Sequence, residues 1–303
     1  MAPCTATAPC SSFDRAYRLA MPSQTVLIAG GSYPGQAIWP DPGKAGPGRV
    51  VFRPAIGATV SLTGFLNVYG SHVEFRALVF GSGWYVRERA ANVVFLETRT
   101  RTFSIGSATS VRVLGGEVGP MTATSDTDPK IAKSSAASWA APTDVLIDGV
   151  SFHDIGRVPG SGLHIECLQV GSAIQLIVRN SRFENCATHS LLLSSWGSSY
   201  PLRDILIENN VFGAVPQGYH SAKISVRAGS APCERCVVRG NVATKPVAVD
   251  VSTPGSTIAI VGNSMPSADL WAPGWCDHGL FGVLWDSNRF SFAPTCGSNA
   301  SLG

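Results

Sequence analysis

The sequence has few charged residues and no long apolar run. Only 14% of its 303 residues are charged and 45% are hydrophobic, which excludes a disordered chain or a coiled coil. No stretch of 18 apolar residues occurs, so a membrane-spanning helix is excluded as well. Lysine is scarce, with 5 against 18 arginines, and the net charge is only +3. We therefore expect neither nucleic acid nor a membrane as the partner.

Helical periodicity is also nearly absent, because Gly (32) and Pro (20) interrupt the chain every few residues. One short amphipathic helix is predicted near the N-terminus. Ser11 can cap its first turn, and its apolar face consists of Phe13, Ala16, Tyr17 and Ala20. We expect this helix to cover an exposed end of the fold.

A short unit repeats along the chain and predicts the fold. It consists of an apolar residue, a turn with Asn or Gly, and an aromatic or apolar residue, and it is clearest at 147–152, 178–183 and 207–212. Copies recur from position 28 to position 285 about every 26 residues, a period typical of solenoids. The segments between turns are short and rich in β-branched residues, which indicates strands. The sequence predicts an all-β parallel β-helix of about 10 or 11 turns.

The chain is expected to form one monomeric domain. We interpret residues 1–24 as an N-terminal cap, 25–268 as the rungs and 269–303 as a C-terminal cap. A polar insertion at 119–142 lengthens one turn well beyond its neighbours.

Four asparagines occupy the same place in consecutive units. They are Asn210, Asn241, Asn263 and Asn288. A tight turn between strands needs a residue that tolerates a left-handed backbone, and stacked Asn side chains can hydrogen-bond along the column. We predict an asparagine ladder at these turns.

The eight cysteines fall into four couples that are close in sequence. Proximity predicts the disulfides Cys4–Cys10, Cys167–Cys186, Cys233–Cys236 and Cys276–Cys296. A metal site or redox pair is an alternative for the Cys-x-x-Cys couple, although no second such motif accompanies it. An even cysteine count favours an oxidising compartment. The first residues show no leader, so we expect a mature secreted chain whose leader has been removed.

Several motifs carry a resemblance to a known family. They are Cys10-Ser-Ser-Phe-Asp-Arg-Ala-Tyr17, Gly31-Ser-Tyr33, the Ile/Val-x-x-Asn-x-x-Phe turns and Gly162-Leu-His-Ile-Glu-Cys-Leu-Gln169. Over roughly residues 10–290 the chain resembles the secreted right-handed parallel β-helix proteins of the pectate-lyase-like superfold, which are common in actinobacteria. The resemblance implies a right-handed β-helix. It leaves the chemistry open, because this superfold hosts lyases, hydrolases and proteins without activity.

One outer face of the predicted β-helix has an unusual polar content. Alternation over residues 163–168, 190–195, 222–227 and 248–252 places apolar side chains inward. It places outward His164, Glu166, Lys223, Arg227 and Asp250, a stripe of roughly 15 Å. Beside the face we expect His189, His220, Trp139, Trp196 and Tyr200, of which the aromatic residues can stack on sugar rings.

Two reactions on an acidic glycan suit this stripe. β-Elimination needs a base for the C5 proton and a group that neutralises the uronate carboxylate, which is Arg, Lys or a Ca²⁺ held by acids. The resemblance implies Lys223 as base and Arg227 or His189 as neutraliser. Hydrolysis needs two carboxylates about 5 to 9.5 Å apart, whereas Asp250 is expected near 14 Å from Glu166. The leading hypothesis is therefore a secreted polysaccharide lyase.

Other functions remain open at the level of sequence. The same face and its aromatic turns suit a non-catalytic module that binds a polysaccharide or a cell surface, and a glycoside hydrolase is a further alternative. A purely structural β-helix is the third hypothesis, since lone histidines on a polar face are commonly just solvated.

Overall fold

Three parallel β-sheets run along the whole described chain. The computed structural model describes residues 4–5, 7–132, 140–195, 200–216, 218, 220–226, 230–251, 253, 255–271, 283–290 and 295–296. Two sheets have 11 strands and the third has 12, and each strand pairs in parallel with its equivalents in the preceding and following rungs. Successive strands of one sheet are joined through the other two sheets. The chain is therefore a right-handed parallel β-helix, in agreement with the predicted number of turns.

The strands are short, as expected from the frequent turns. Sheet A contains Thr25–Ile28, Val50–Pro54, Val73–Arg76, Ala91–Leu96, Thr109–Leu114, Thr143–Asp148, Ala173–Arg179, Leu202–Glu208, Cys233–Arg239, Ile258–Val261 and Val283–Asp286. Sheet B contains Gly31–Tyr33, Val60–Leu62, Val79–Phe80, Arg99–Thr100, Glu117–Val118, Met121–Ala123, Ser151–Arg157, Arg182–Cys186, Val211–Phe212, Val242–Ala243, Ser264–Met265 and Arg289–Phe290. Sheet C contains Gln36–Ile38, Leu66–Val68, Trp84–Val86, Phe103–Ile105, Lys130–Ile131, Leu168–Val170, His189–Ser194, His220–Val226, Val247–Val251, Ala268–Trp271 and Thr295–Cys296.

The core is a column of inward side chains stacked from rung to rung. In sheet A, Phe52, Phe75 and Phe95 are in register, with ring centroids 5.6 and 5.2 Å apart. In sheet B, Phe152 and Phe183 stack at 4.6 Å. Each of these rings is fully buried, which contributes about 1.5–3 kcal/mol per side chain. Strand alternation and the stacked core together explain why so few positions tolerate charge.

The asparagine ladder is present. The side-chain Nδ2 of Asn210 donates to Oδ1 of Asn241 at 3.0 Å, Asn241 donates to Asn263 at 2.9 Å, and Asn263 donates to Asn288 at 3.0 Å. The left-handed residue of each turn is not the ladder asparagine itself but the residue before it, such as Asn209 with φ 54°. The ladder amides are thus free to bond along the column while their neighbour makes the turn.

A seven-residue helix, α1 (Phe13–Leu19), covers the N-terminal end of the β-helix. Its cap is Ser12 and not the expected Ser11, because the Ser12 side chain accepts a hydrogen bond from the Arg15 backbone N–H. Phe13 stacks on Phe52 at 5.1 Å. The Lys44 ammonium donates to the carbonyl of Ala20 at 2.6 Å, so a cation satisfies a carbonyl at the C-terminal end of the helix.

Three of the predicted disulfides are present, Cys4–Cys10, Cys167–Cys186 and Cys233–Cys236. Cys276 of the predicted Cys276–Cys296 pair lies outside the described residues. Such bonds are typical of proteins from oxidising compartments. In the described part of the chain no helix is long and apolar enough to span a bilayer.

The polar insertion at 119–142 contributes two strands to the β-helix, both in its described part 119–132. Met121–Ala123 pairs with Ser151–Arg157 and adds the twelfth strand to sheet B, whereas Lys130–Ile131 is the sheet C strand of this rung. The connection between these strands brings Asp126 and Asp128 to the outer face of sheet C. Among the described residues of 269–303, Val283–Asp286, Arg289–Phe290 and Thr295–Cys296 are the last strands of the three sheets.

Candidate functional site

Buried acidic and imidazole side chains concentrate at one edge of sheet C. The segment that precedes strand Leu168–Val170 lies alongside the start of strand His189–Ser194. The backbone N–H of Cys167 donates to the carbonyl of His189 at 3.1 Å, and the Thr188 N–H donates to Ile165 at 3.0 Å. The Cys167–Cys186 disulfide joins the same two segments covalently. The backbone between 165 and 167 is therefore held firmly against residues 186–189.

Three side chains converge at this junction, His164, Glu166 and His189. Each offers one nitrogen or oxygen atom, and the three atoms lie within 4.8 Å of one another. The rings of His164 and His189 have centroids 5.5 Å apart, and His164 Nδ1 contacts a carboxylate oxygen of Glu166. On the other side of His189, its Nδ1 lies 3.3 Å from the backbone carbonyl oxygen of His220. This group, His164, Glu166 and His189, is called the central cluster below.

A second acid from the insertion stands against the central cluster. The Asp128 side chain is fully buried, and burial raises its pKa to about 8, because the Lys130 charge opposes that effect only in part and the Glu166 carboxylate reinforces it. The Lys130 ammonium lies 3.4 Å from Asp128 and 3.2 Å from Asp126. Among the described residues, no carboxylate oxygen of Asp128 or Glu166 has a hydrogen-bond partner. Two buried acids thus face each other, and each has one cationic contact, Lys130 for Asp128 and His164 for Glu166.

The two histidines of the central cluster differ in environment. Burial lowers the pKa of His189 to about 4, despite the nearby Glu166 charge. The His164 side chain is 58% exposed, and its contact with Glu166 raises its pKa, while burial and the charges of Lys223 and Arg157 act in the opposite direction. Two cations therefore stand near the exposed imidazole, at the solvent side of the central cluster.

Two acids that were predicted on the outer face are buried in the structure. Glu166 was expected to point outward into solvent, but its side chain is 0% exposed. The strand of this rung is Leu168–Val170 and not 163–168, so Glu166 lies before the strand and beside His189. Asp250 was also expected to be exposed, but it is 4% exposed and accepts a 3.5 Å hydrogen bond from Ser225. Alternation along a strand predicts side-chain direction and not what covers the outer face.

The remaining predicted site residues are spread more widely. Lys223 occupies an outward, half-buried position on sheet C, and His220 is buried one rung beyond His189. Tyr200 is half-buried in a turn. Arg227, Trp139 and Trp196 lie outside the described residues.

Three charged residues near the central cluster were not singled out from the sequence. Asp128 and Lys130 belong to Asp126-Thr-Asp128-Pro-Lys130, a dense charge motif in a chain poor in charge, and that density is the signal that could have identified them. Arg157 ends a strand of sheet B and contacts the Leu163 carbonyl, which no sequence pattern indicates.

An aromatic platform occupies the same outer face several rungs away, toward the N-terminus. Trp39 and Tyr69 stack at 4.5 Å, and Phe65 and Tyr85 stack at 4.8 Å. The Arg87 guanidinium lies over the Tyr85 ring at 4.5 Å. Trp39 and Phe65 are exposed. We call these five residues the aromatic platform. None of them was predicted as a site residue, because aromatic rings were predicted only in the turns beside the central strands.

Fold and site together define a parallel β-helix protein with a buried histidine–carboxylate cluster. No protein-family model and no curated protein matches the sequence. Among solved structures, a mannuronic acid specific polysaccharide family 6 lyase from human gut microbiota is 13% identical, with 92% of this chain and 84% of that chain covered and a TM-score of 0.41. An alginate lyase from Paenibacillus is 12% identical, with 91% and 95% covered and a TM-score of 0.34.

A surface adhesin of Streptococcus pneumoniae is 9% identical, with 95% of this chain and 91% of that chain covered and a TM-score of 0.44. The assignment of the fold rests on the strand pairing described above and not on these likenesses.

Proposed function

We propose that this protein binds an acidic polysaccharide along the outer face of sheet C and cleaves it by β-elimination. The observation that carries the proposal is that the outer face of sheet C runs from the aromatic platform to the rungs of the central cluster. Its outward side chains are in register from rung to rung, and they are Asn67, Tyr85, Ser104, Lys130, Gln169, Leu192 and Lys223, of which Leu192 is buried. Rungs about 4.8 Å apart make this column roughly 29 Å long, enough for several consecutive sugar rings.

The platform end of the face suits sugar rings that carry carboxylates. Aromatic rings stack on the apolar faces of sugars, as the exposed Trp39 and Phe65 side chains allow. The Arg87 guanidinium is fixed over Tyr85, where Asn67 Oδ1 accepts hydrogen bonds from its Nε and Nη2 at 3.0 and 2.7 Å. A guanidinium held in this way presents its remaining N–H groups to a carboxylate. The platform thus supports binding of an acidic chain.

The cluster end of the face suits proton abstraction from a uronate. Arg157 and the exposed His164 are the groups we assign to the carboxylate, whose neutralisation acidifies the C5 proton. Lys223 is assigned as the base. It takes the C5 proton, the C4–C5 double bond forms, the bond from C4 to the leaving oxygen breaks, and that oxygen takes a proton from water. His189 is buried, with its ring 5.5 Å from that of His164, so we do not place it against the substrate.

Hydrolysis is less well supported by the same geometry. A glycosidase needs its two carboxyl groups about 5 to 9.5 Å apart on either side of the sugar. Asp128 lies closer to Glu166 than the distant Asp250 does, but the two buried groups face each other rather than a substrate. No sugar can lie between carboxyl groups in that arrangement.

Secretion belongs to the same proposal. The three disulfides support export to an oxidising compartment, where polysaccharides are encountered. We expect a monomer there.

The test is a panel of acidic polysaccharides that includes polymannuronate, polyguluronate and polygalacturonate. Unsaturated chain ends, followed by ultraviolet absorbance, are the expected product on at least one of them. Reducing ends without absorbance would show hydrolysis and reject the lyase. Binding without any cleavage would favour a non-catalytic polysaccharide-binding module, for which the aromatic platform is the supporting observation.

A further inference from the structure

We propose that His164, Glu166 and His189 bind one divalent transition-metal ion of the zinc class. The three residues come from two adjacent rungs, and their donor atoms lie within 4.8 Å of one another. One ion can reach all three after side-chain adjustments of about an ångström, since Zn²⁺ binds its nitrogen and oxygen ligands at about 2.0–2.2 Å.

The first support is the buried carboxylate at the central cluster. Glu166 is 0% exposed, and both of its carboxylate oxygens lack a hydrogen-bond partner among the described residues. The carboxyl group of Asp128 is likewise buried, with the Lys130 ammonium 3.4 Å away. Buried carboxyl groups are costly unless a proton or a cation offsets them, and a doubly charged cation bound to Glu166 would do so.

The second support is that the donor atoms are already oriented. The Nδ1 of His189 lies 3.3 Å from the carbonyl oxygen of His220, which favours the tautomer that donates from Nδ1 and leaves Nε2 as the ligand. Imidazole ligands of metals usually have such a backbone or carboxylate partner on the other nitrogen. The Cys167–Cys186 disulfide and the paired backbone of residues 165–167 hold the ligand-bearing segments together. The framework therefore pre-forms the site.

The ligand types decide the class of metal. Two imidazoles and one carboxylate, with the partly exposed His164 on the solvent side, match catalytic zinc sites that keep a position open for water or substrate. Ca²⁺ prefers six to eight oxygen ligands, so two imidazoles and one carboxylate do not suit Ca²⁺. If the proposed β-elimination is correct, the open position is where a uronate carboxylate oxygen would bind. Metal binding itself does not depend on that reaction.

The test measures metal binding in the absence of any polysaccharide. The full chain is treated with a chelator, dialysed, and titrated with Zn²⁺ by calorimetry and with Co²⁺ by visible absorption spectroscopy. We expect one equivalent of each ion and a Co²⁺ spectrum typical of four or five ligands. Ca²⁺ should not compete. Glu166→Gln and His189→Gln should each weaken Zn²⁺ binding by at least about a hundredfold, more than the loss of an outer partner of a ligand.

The matched control is His153→Gln. His153 also contacts an acid, with its Nδ1 2.9 Å from Asp154, but it lies on sheet B, away from the central cluster. Its variant should bind Zn²⁺ as the wild type does, and circular dichroism should show all variants folded. Absence of Zn²⁺ binding, binding unaffected by Glu166→Gln and His189→Gln, or equal competition by Ca²⁺ would each overturn the proposal.

The two proposals can fail separately. Zn²⁺ binding without cleavage of any polysaccharide leaves the metal site and rejects the lyase. Cleavage by a wild-type chain that binds no Zn²⁺ leaves the lyase and rejects the metal site.

Discussion

The outer faces of sheets A and C have the same rung spacing but differ in where their acidic side chains lie. Those on sheet A between residues 144 and 234 are paired at the surface, whereas two beside sheet C are buried. On sheet A, arginines and acids of neighbouring rungs pair at the surface, with Arg203–Glu234 at 2.7 Å and Arg239–Glu208 at 2.7 Å. The Arg203 guanidinium holds the pKa of the Glu234 carboxyl below its usual range. On sheet C the acids Asp128 and Glu166 are buried, and they face each other instead of arginines.

The difference shows where a solenoid concentrates functional charge. From Arg112–Asp144 to Arg239–Glu208, arginines of sheet A pair with acids of the neighbouring rung, so the charges there offset one another at the surface. Beside sheet C two carboxyl groups are instead buried together, with Lys130 and His164 as their cationic contacts. Residues that are costly to bury and are still buried together indicate a functional site more reliably than exposed charges do.

The largest expected effect is on catalysis at sheet C. Lys223→Ala should lower kcat at least about a hundredfold on the polysaccharide that is cleaved, because it removes the proposed base. The matched change on sheet A, Arg239→Ala, removes a cation of the paired face and should leave kcat within about twofold. Initial rates of ultraviolet absorbance measure both. Equal losses in the two variants would contradict the functional contrast between the faces, and an active Lys223→Ala variant would refute the base.

A smaller effect is expected at the aromatic platform. Tyr85→Ala removes the ring that stacks with Phe65 and lies under Arg87, and it should raise KM about fivefold with kcat unchanged, since an aromatic contact is worth roughly 1 kcal/mol. Tyr33→Ala on sheet B serves as the control and should not change KM. A fall in kcat without a change in KM would show that Tyr85 does not belong to a binding surface.

The charge contrast predicts opposite effects on stability. In the presence of a chelator, Asp128→Asn should raise the free energy of unfolding by about 1 kcal/mol, because it removes one of two facing buried acids. Glu208→Gln on sheet A breaks a paired charge and should lower it by about 0.5 kcal/mol. Urea unfolding at low ionic strength distinguishes the two signs. A destabilised Asp128→Asn variant would mean that the carboxylate of Asp128 is compensated in the metal-free protein.

The smallest effect belongs to sheet A alone. Arg179→Ala removes the partner of Asp148, whose carboxylate lies 2.8 Å from the guanidinium, and should cost less than about 1 kcal/mol because the pair is partly exposed. The cost should shrink at high salt, since exposed pairs are screened. Urea unfolding at low and high salt measures the difference. A large cost that is independent of salt would place Arg179 among the structural residues.

Local patterns predicted most of the fold. The asparagine ladder followed from the turn position of Asn210 and Asn241, because the bonding preference of an amide in a turn is local. The left-handed residue was assigned one position too late, and the helix cap one position too early. Both errors concern single-residue boundaries, which depend on the exact backbone path.

The candidate site was only partly predictable. His164, Glu166 and His189 were singled out because they lie in one polar segment and its neighbouring rung. Asp128 was missed as a partner of Glu166, since the two acids meet only when the insertion crosses the outer face of sheet C. The strand of this rung was also predicted too early in the sequence, at 163–168 instead of Leu168–Val170.

The sequence by itself determined the solenoid, its period, the ladder and three disulfides, since each depends on residues close in the chain or repeated at a constant interval. Only the tertiary structure decided that Glu166 is buried, that Asp128 faces it, and that His189 completes the central cluster. The reason is physical. Alternation specifies which side of a strand a residue takes, whereas burial and charge on that side depend on what distant segments bring against it.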